Sequence, residues 1–457
     1  MKRKEIIFLS LIIVLAVLSR LAFLDLRILH HDEGVNYFFA NGILESGRFV
    51  YNPENYHGPF YFFAIAVSFI LFGVSEFSLR FPAAIFGILI VILPLFFYRK
   101  EFGKYVAPIL LLISPSLMYY SRYSIHEIAF ALFSLIGVYS LTLILERKDL
   151  KYLPLFAISL AFLFAVKETV IIMLFIFLII ILINFSRVKK INFKSNSRII
   201  WISVFAFLFV YVLLFNSFFM NFSGLIDSFK GFLPWFNRGL QEIGHDKPFY
   251  YYGLILFEYE LPILAFALVG LFYLFFYRKN IFLLNFSIWA FLSFLIYSFI
   301  PYKTPWLIIN IVMPLCFIAS FGIKQIKYRY KWIFILISLL YLTSASLYVN
   351  YGFPWQEENR LAYVHTDIDI LRLVERVKDY DNPRILMASK EYWPLPFYFH
   401  GFDVNYLDGD FEGYKNYSDY NLFIFNAQNF SSDSVPIDYN YDNYKLRSGV
   451  ELVLVGS

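Results

Sequence analysis

The chain has 457 residues, 60% of them hydrophobic, 22% aromatic and only 16% charged. Soluble domains carry about a quarter charged residues, so this composition excludes a soluble enzyme, and its wealth of aromatic and aliphatic side chains excludes a disordered chain. The net charge of +5 is too small and too dispersed to indicate nucleic acid as a partner.

A bilayer crossing needs about 20 apolar residues. Runs of that kind fall at 5–24, 78–98, 104–120, 127–146, 152–167, 169–186, 199–219, 253–277, 281–300, 305–323 and 331–349. The opening stretch has the basic start of a secretory signal but no small-residue cleavage site, and Arg20–Leu24 extends it, so it is read as the first span. A further run, 59–74, follows His57-Gly58-Pro59 and is short.

Positive charge decides how that run is treated. Lys and Arg gather in cytoplasmic loops, and the basic clusters are Lys2–Lys4, Arg99 to Lys104, Arg147 to Lys151, Arg187–Arg198, Arg278-Lys279 and Lys324–Lys331. All six fall on one side only if 59–74 does not cross. The expectation is therefore an α-helical polytopic membrane protein with about eleven transmembrane helices plus one juxtamembrane helix. It would sit in the plasma membrane with a cytoplasmic N-terminus.

Residues 350–457 differ, with 17 acids against 9 bases and recurrent Asn, Asp, Gly and Pro. Thr366-Asp367 followed by Ile370, Leu371, Leu373, Val374 and Val377 predicts a capped amphipathic helix. Strand-like runs follow at 384–388, 421–426 and 451–455. The predicted division is thus a transmembrane domain over 1–349, including an outer loop 25–77, and a small C-terminal α/β extracytoplasmic domain over 350–457. The single cysteine, Cys316, lies in an apolar run and rules out a disulfide framework or a Cys-based zinc site. Three Asn-x-Ser sequons, at Asn221, Asn416 and Asn429, fall on the predicted outer side.

Polar residues at a membrane are costly, so their clustering is informative. On the predicted outer face lie His30-His31-Asp32-Glu33, His57, Arg122 with His126-Glu127, Lys167-Glu168, His245-Asp246-Lys247 and Tyr302-Lys303. Asp32 and Glu33 precede a predicted helix, Val35–Leu44. They read either as an acid pair with divided roles or as charges that favour a helix N-terminus. Glu127 reads as a second site acid or as the partner of Arg122. Lys167-Glu168 reads as the outer turn between two spans. Lys303, between two prolines in YKTPW, suits a phosphate oxygen, or snorkels to lipid headgroups. Glu258 and Glu260 enter the run 253–277, where they pair internally or line a cavity.

The ordered motifs HHDEGVNYFF, NYHGPFYFF, GVSEFSLRFPAA, LLLISPSLMYYSRYSIHE, VKETV, KPFYYYGLILFEYELPIL and YKTPWL resemble the GT-C superfamily of polytopic glycosyltransferases. The superfamily includes dolichyl-phosphate-mannose protein mannosyltransferases. Within it, the chain is most similar to the archaeal family labelled flippase-activity-associated proteins.

That resemblance implies a polyprenyl-phosphate-linked sugar donor, catalysis on the outer face, and a protein or glycolipid acceptor. Catalytic roles would fall to Asp32, with Glu33 beside it, and to Glu127. Substrate binding would fall to His31, His57, Arg122, His126, Lys167, His245, Tyr302 and Lys303. Relatives often carry Asp where this chain reads IHE, and an acid where it has Tyr302. A divalent metal (Mg2+ or Mn2+) held by Asp32, Glu127 and His126 is an alternative to part of this chemistry. The expected function is hexose transfer to an acceptor hydroxyl. A flippase or transport component for lipid-linked sugars and a non-catalytic scaffold are the rival readings.

Overall fold

A computed structural model describes residues 3–51, 57–96, 102–240, 246–274, 276, 280–356, 358–407, 419–428, 430 and 440–456. The chain forms two compact units, Met1–Leu24 with Ala40–Pro354, and Asp25–Phe39 with Trp355–Ser457. A short piece of the first loop thus groups with the C-terminal residues, an association that chain order does not reveal.

The larger unit is helical. Among the described residues, six helices are long and apolar enough to cross a membrane: Glu76–Phe96, His126–Arg147, Ser197–Phe215, Ile281–Phe299, Pro305–Gln325 and Lys331–Gly352. Their similar hydropathy conceals two environments. Pro305–Gln325 is 94% buried and His126–Arg147 89%, whereas Ser197–Phe215 is 22% and Lys331–Gly352 17%. A helix that is apolar all round suits either a core or a lipid surface, and here both occur.

Several expected spans are interrupted. The run 104–120 forms Val106–Ile113 and Pro115–Tyr120, because Pro115 has no N–H to donate and the Ser114 hydroxyl accepts from the Leu117 N–H to begin a new helix. The run 253–277 breaks at Glu260 into Tyr251–Tyr259 and Leu261–Leu274, bent by 106°. Pro59–Phe72 has 14 residues, about 21 Å at 1.5 Å per residue. Leu153–Val166 and Val170–Ile183 are equally short, so length does not set the predicted juxtamembrane helix apart.

The smaller unit is a five-stranded sheet of β1 (Arg384–Ala388), β2 (Asp403–Tyr406), β3 (Leu422–Asn426), β4 (Asn440–Arg447) and β5 (Val450–Gly456), in the order β2-β1-β3-β5-β4. β1 runs parallel to β2 and β3, while β5 is antiparallel to β3 and β4. The helix Asp369–Lys378 lays Ile370, Leu373, Val374 and Val377 on one face of the sheet. Leu386, Phe423, Phe425, Val453 and Val455 form a core on the other. Three strands and the helix agree with the sequence pattern, although the helix starts two residues after Asp367. The Asp367 carboxylate instead accepts from the Asp369 N–H at 3.1 Å. β2 is short, and β4 is a largely exposed edge strand of polar sequence, so neither shows the apolar alternation that marks a strand.

Candidate functional site

In the smaller unit, the helix His31–Ser46 begins four residues before the expected Val35, which places Asp32 and Glu33 inside its first turn. Its entry is closed by a reciprocal cap. The His30 Nδ1 accepts from the Asp32 N–H at 3.0 Å, and the Glu33 carboxylate accepts from the His30 N–H at 3.1 Å. This is the geometry of a capping box with histidine in the usual Ser or Thr position. Glu33 is fully buried and also lies 3.8 Å from the Arg27 guanidinium.

The segment before the helix is held on both sides of Leu29. Its N–H donates to the Tyr398 hydroxyl at 3.0 Å, and its carbonyl accepts from Thr366 at 2.7 Å. Gly34 lies against Pro394, where a Cβ would sit 2.8 Å from the proline Cα, so the HHDEG glycine is required by close approach. The Tyr37 hydroxyl meets the His400 Nδ1 at 2.7 Å, and the His31 ring faces Trp393.

Asp32 is unlike its neighbour. It is half-buried, and among the described residues its carboxylate accepts no hydrogen bond. Its charge is felt nearby: burial and then Asp32 push the Tyr363 hydroxyl up to about 12, and Asp32 opposes the lowering that burial imposes on Arg447. Burial lowers His30 to about 4. That keeps Nδ1 unprotonated and able to accept.

The larger unit holds a second cluster at the ends of several helices. The Lys167 ammonium pairs with Glu127, both largely buried. Glu168 accepts from the Tyr51 hydroxyl at 2.7 Å and lies 3.7 Å from His57. Burial, then Glu168, pushes the Tyr51 hydroxyl up, so it remains a donor. His126 is enclosed by rings, with centroids at 4.4 Å for His57, 4.8 Å for Tyr61 and 4.9 Å for Phe62. His57 is brought there by Gly58, whose N–H donates to the Val166 carbonyl at 3.1 Å. A Cβ at Gly58 would fall 2.2 Å from the Ala165 carbonyl oxygen.

Lys303 is buried, and its ammonium donates to the carbonyls of Ile300 at 2.6 Å and Lys247 at 2.9 Å. Desolvation lowers it from the usual lysine range, with Asp246 opposing. The preceding Tyr302 pairs with Asp246 in an isolated antiparallel bridge.

Residues 56–215 match a family model described as dolichyl-phosphate-mannose-protein mannosyltransferase. An uncharacterized protein of Aquifex aeolicus is 29% identical over 234 residues, 49% of this chain, and the chain spans about half (52%) of that relative's length. Among solved structures, ArnT from Cupriavidus metallidurans bound to undecaprenyl phosphate aligns with a TM-score of 0.74 at 12% identity, covering 98% of each chain. Its apo form gives 0.71. The Archaeoglobus fulgidus oligosaccharyltransferase gives 0.52 at 12% identity, covering 92% of this chain and 67% of that one. The chain has the GT-C fold. It is a multi-pass membrane protein.

Within this GT-C fold, His57, His126, Glu127 and Lys167 come together in the larger unit. Asp32, Glu33 and His31 belong to the smaller one, and His245 lies outside the described residues. Arg122 does not pair with Glu127. Its guanidinium donates to the carbonyls of Ala22 and Phe23, both at 2.7 Å, and of Ser19 at 3.2 Å, closing the end of the helix Arg3–Leu21. Of the residues suggested for a metal, Glu127 is paired with Lys167, and no group of three or more His, Cys, Asp or Glu able to hold a metal occurs among the described residues.

Glu260 is fully buried, and one oxygen accepts from Ser114 Oγ, Ser116 N and Ser116 Oγ. The internal pairing left open by the sequence is therefore with the ISPS motif. Glu258 is exposed instead. Of the sequons, Asn221 donates its side-chain amide to the Phe49 carbonyl at 3.2 Å, and Asn416 and Asn429 lie outside the described residues.

Sequence reasoning gave no role to Arg27 or Tyr51, placed His30 only in the outer-face cluster, and read Glu168 only as part of an outer turn. Tyr51 and Glu168 are 117 residues apart, and a histidine N-cap is not a usual helix-start signal. The only legible clue was Glu33 at the third helical position.

Proposed function

We propose that this chain is a membrane glycosyltransferase that moves a hexose from a polyprenyl-phosphate carrier to a hydroxyl of a protein, lipid or glycan on the outer face. The observation that carries this reading is the unequal state of two adjacent acids on a GT-C fold. Glu33 is consumed by Arg27 and the helix cap, while Asp32 is half-exposed and accepts no hydrogen bond among the described residues. A general base must have a free lone pair within reach of the proton it removes.

Asp32 takes the acceptor proton as the acceptor oxygen attacks the anomeric carbon. The bond from that carbon to the phosphate oxygen breaks, and the polyprenyl phosphate leaves with the electron pair. The groups assigned to that phosphate are Lys303 and His57. The Lys303 ammonium, with three N–H donors, is bound to the Ile300 and Lys247 carbonyls at 2.6 and 2.9 Å and lies 3.5 Å from the Pro301 carbonyl. Arg122 is withdrawn from this role because its guanidinium is spent on backbone carbonyls.

The test is transfer from a radiolabelled polyprenyl-phosphate hexose by the purified, vesicle-reconstituted chain, with and without acceptor extract. Labelled acceptor with the native chain and none with Asp32→Asn supports the reading. Equal transfer by both overturns the base assignment. Movement of the donor between leaflets without any product favours the transport reading instead.

A further inference from the structure

Between the helix Ser197–Phe215 and the helix beginning at Tyr251 lie two short helices, Gly224–Lys230 and Phe232–Leu240. Phe222, Ile226, Phe229, Leu233 and Phe236 are each 55–70% exposed. Ile226 and Phe229 are three residues apart on the first helix and Leu233 and Phe236 three apart on the second, so each helix has an exposed apolar face, with Phe222 just ahead of the first. Asp227 and Lys230 pair with each other at 2.7 Å. An open apolar groove of about 580 Å³ is lined by Leu225, Ile226, Phe229, Lys230 and Leu233.

The opposite face is made of small residues at close approach. A Cβ on Gly224 would lie 2.0 Å from the Phe215 carbonyl oxygen, and the Ser228 hydroxyl meets that of Tyr211 at 2.7 Å. Gly224 and Ser228 therefore run back along the last two turns of a membrane-crossing helix. The exposed stripe thus lies alongside those turns. It also continues the exposed apolar surface of that helix, through Phe218, Phe219 and Met220.

We propose that residues 218–236 form a lipid-seated platform whose apolar stripe is covered by the hydrocarbon of the bilayer, and that this seat positions the loop bearing Tyr51. Continuity with a lipid-facing span identifies the occupant, because an aqueous setting would leave five large apolar side chains in water at about 25 cal/mol per Å². The link to the loop is direct. The Phe49 N–H donates to the Ser217 hydroxyl at 2.7 Å, and its carbonyl accepts from Asn221. A Cβ on Gly231 would lie 2.0 Å from the Tyr51 hydroxyl, which itself holds Glu168. This inference concerns lipid contact and loop order, so it stands or falls independently of the transfer chemistry.

The test uses the full chain in phosphatidylcholine–phosphatidylglycerol vesicles, with Cys316→Ser as background and nitroxides at Ile226→Cys, Phe229→Cys or Leu233→Cys, and at Ser223→Cys for contrast. The three stripe positions are expected to collide severalfold more with dissolved oxygen than with a water-soluble nickel chelate, and position 223 the reverse. Equal chelate access at all four positions means that the stripe faces water, and low collision with both reagents means that protein covers it. Either result overturns the seat. The link is read by hydrogen exchange: in Phe229→Asp/Leu233→Asp, the Phe49 amide should exchange roughly fivefold to tenfold faster, the loss of about one hydrogen bond. Unchanged exchange overturns the link while leaving the seat to the nitroxide result.

Discussion

Each unit carries a pair of acids, and the two pairs are treated differently. In the larger unit Glu127 is neutralised by Lys167, and Glu168 is shared between Tyr51 and His57. Both acids there are occupied. In the smaller unit Glu33 is occupied, whereas the Asp32 carboxylate accepts no hydrogen bond among the described residues. The contrast separates two uses of a carboxylate near a membrane. A buried acid is tolerated when it is paired and hydrogen-bonded, and it then fixes the backbone. An acid left half-open retains the lone pair that proton transfer needs.

The sharpest way to break this comparison is to neutralise the two adjacent acids separately. Asp32→Asn should reduce hexose transfer roughly 10²- to 10⁴-fold with an unchanged unfolding midpoint, the range for loss of a general base. Glu33→Gln should lower the unfolding midpoint, because it leaves Arg27 buried without its counter-ion, and should reduce transfer less. Denaturation curves beside transfer rates decide it. If Asp32→Asn unfolds the chain while Glu33→Gln spares stability, the roles are reversed.

For the larger unit, Lys167→Met should destabilise by roughly 3–5 kcal/mol, the cost of leaving a buried partner uncompensated. Lys167→Met/Glu127→Gln should recover much of that loss, as measured by denaturant midpoints in detergent. Next in size are the tight approaches. Gly58→Ala and Gly34→Ala should each cost about 1–3 kcal/mol through overpacking. The clash at Gly58 is the more severe, since a Cβ there meets a backbone carbonyl oxygen at 2.2 Å.

A pH dependence is also expected in the smaller unit. The His30 pKa is lowered to about 4 in the folded chain, against about 6.5 when unfolded. The unfolded chain therefore binds the extra proton between these values. The His30 contribution is complete above about pH 6.5 and is lost as pH falls toward 4. His30→Asn keeps a side-chain acceptor at the N-cap without titrating, so its variant should lose this component of the acid sensitivity. Protease resistance of residues 355–456 between pH 4 and 7 measures it, and parallel curves for variant and native chains contradict the capping role.

Much of the fold was legible because its signals are local. Apolar runs and basic loops mark membrane helices, and Ile370, Leu373, Val374 and Val377 mark one face of a helix. The motif order resembles that of the GT-C superfamily, and the fold agrees with it. Illegible elements lacked a local signal: β4 is polar because it is an edge, and the bend at Glu260 depends on serines about 145 residues away in sequence. Site residues were legible as types, but the sequence did not show that the Arg122 guanidinium donates to carbonyls at the end of the helix Arg3–Leu21, because those partners lie about 100 residues away.

The sequence by itself determined that this is a polytopic membrane protein with an acidic α/β unit, since hydropathy and charge are properties of short segments. Only the tertiary structure decided which apolar helices form the core and which face lipid, because both environments accept the same side chains. It alone also divided Asp32 from Glu33. Two neighbouring carboxylates are chemically near-equivalent in the chain, and they become different only when folding brings Arg27 and the His30 N–H to one of them.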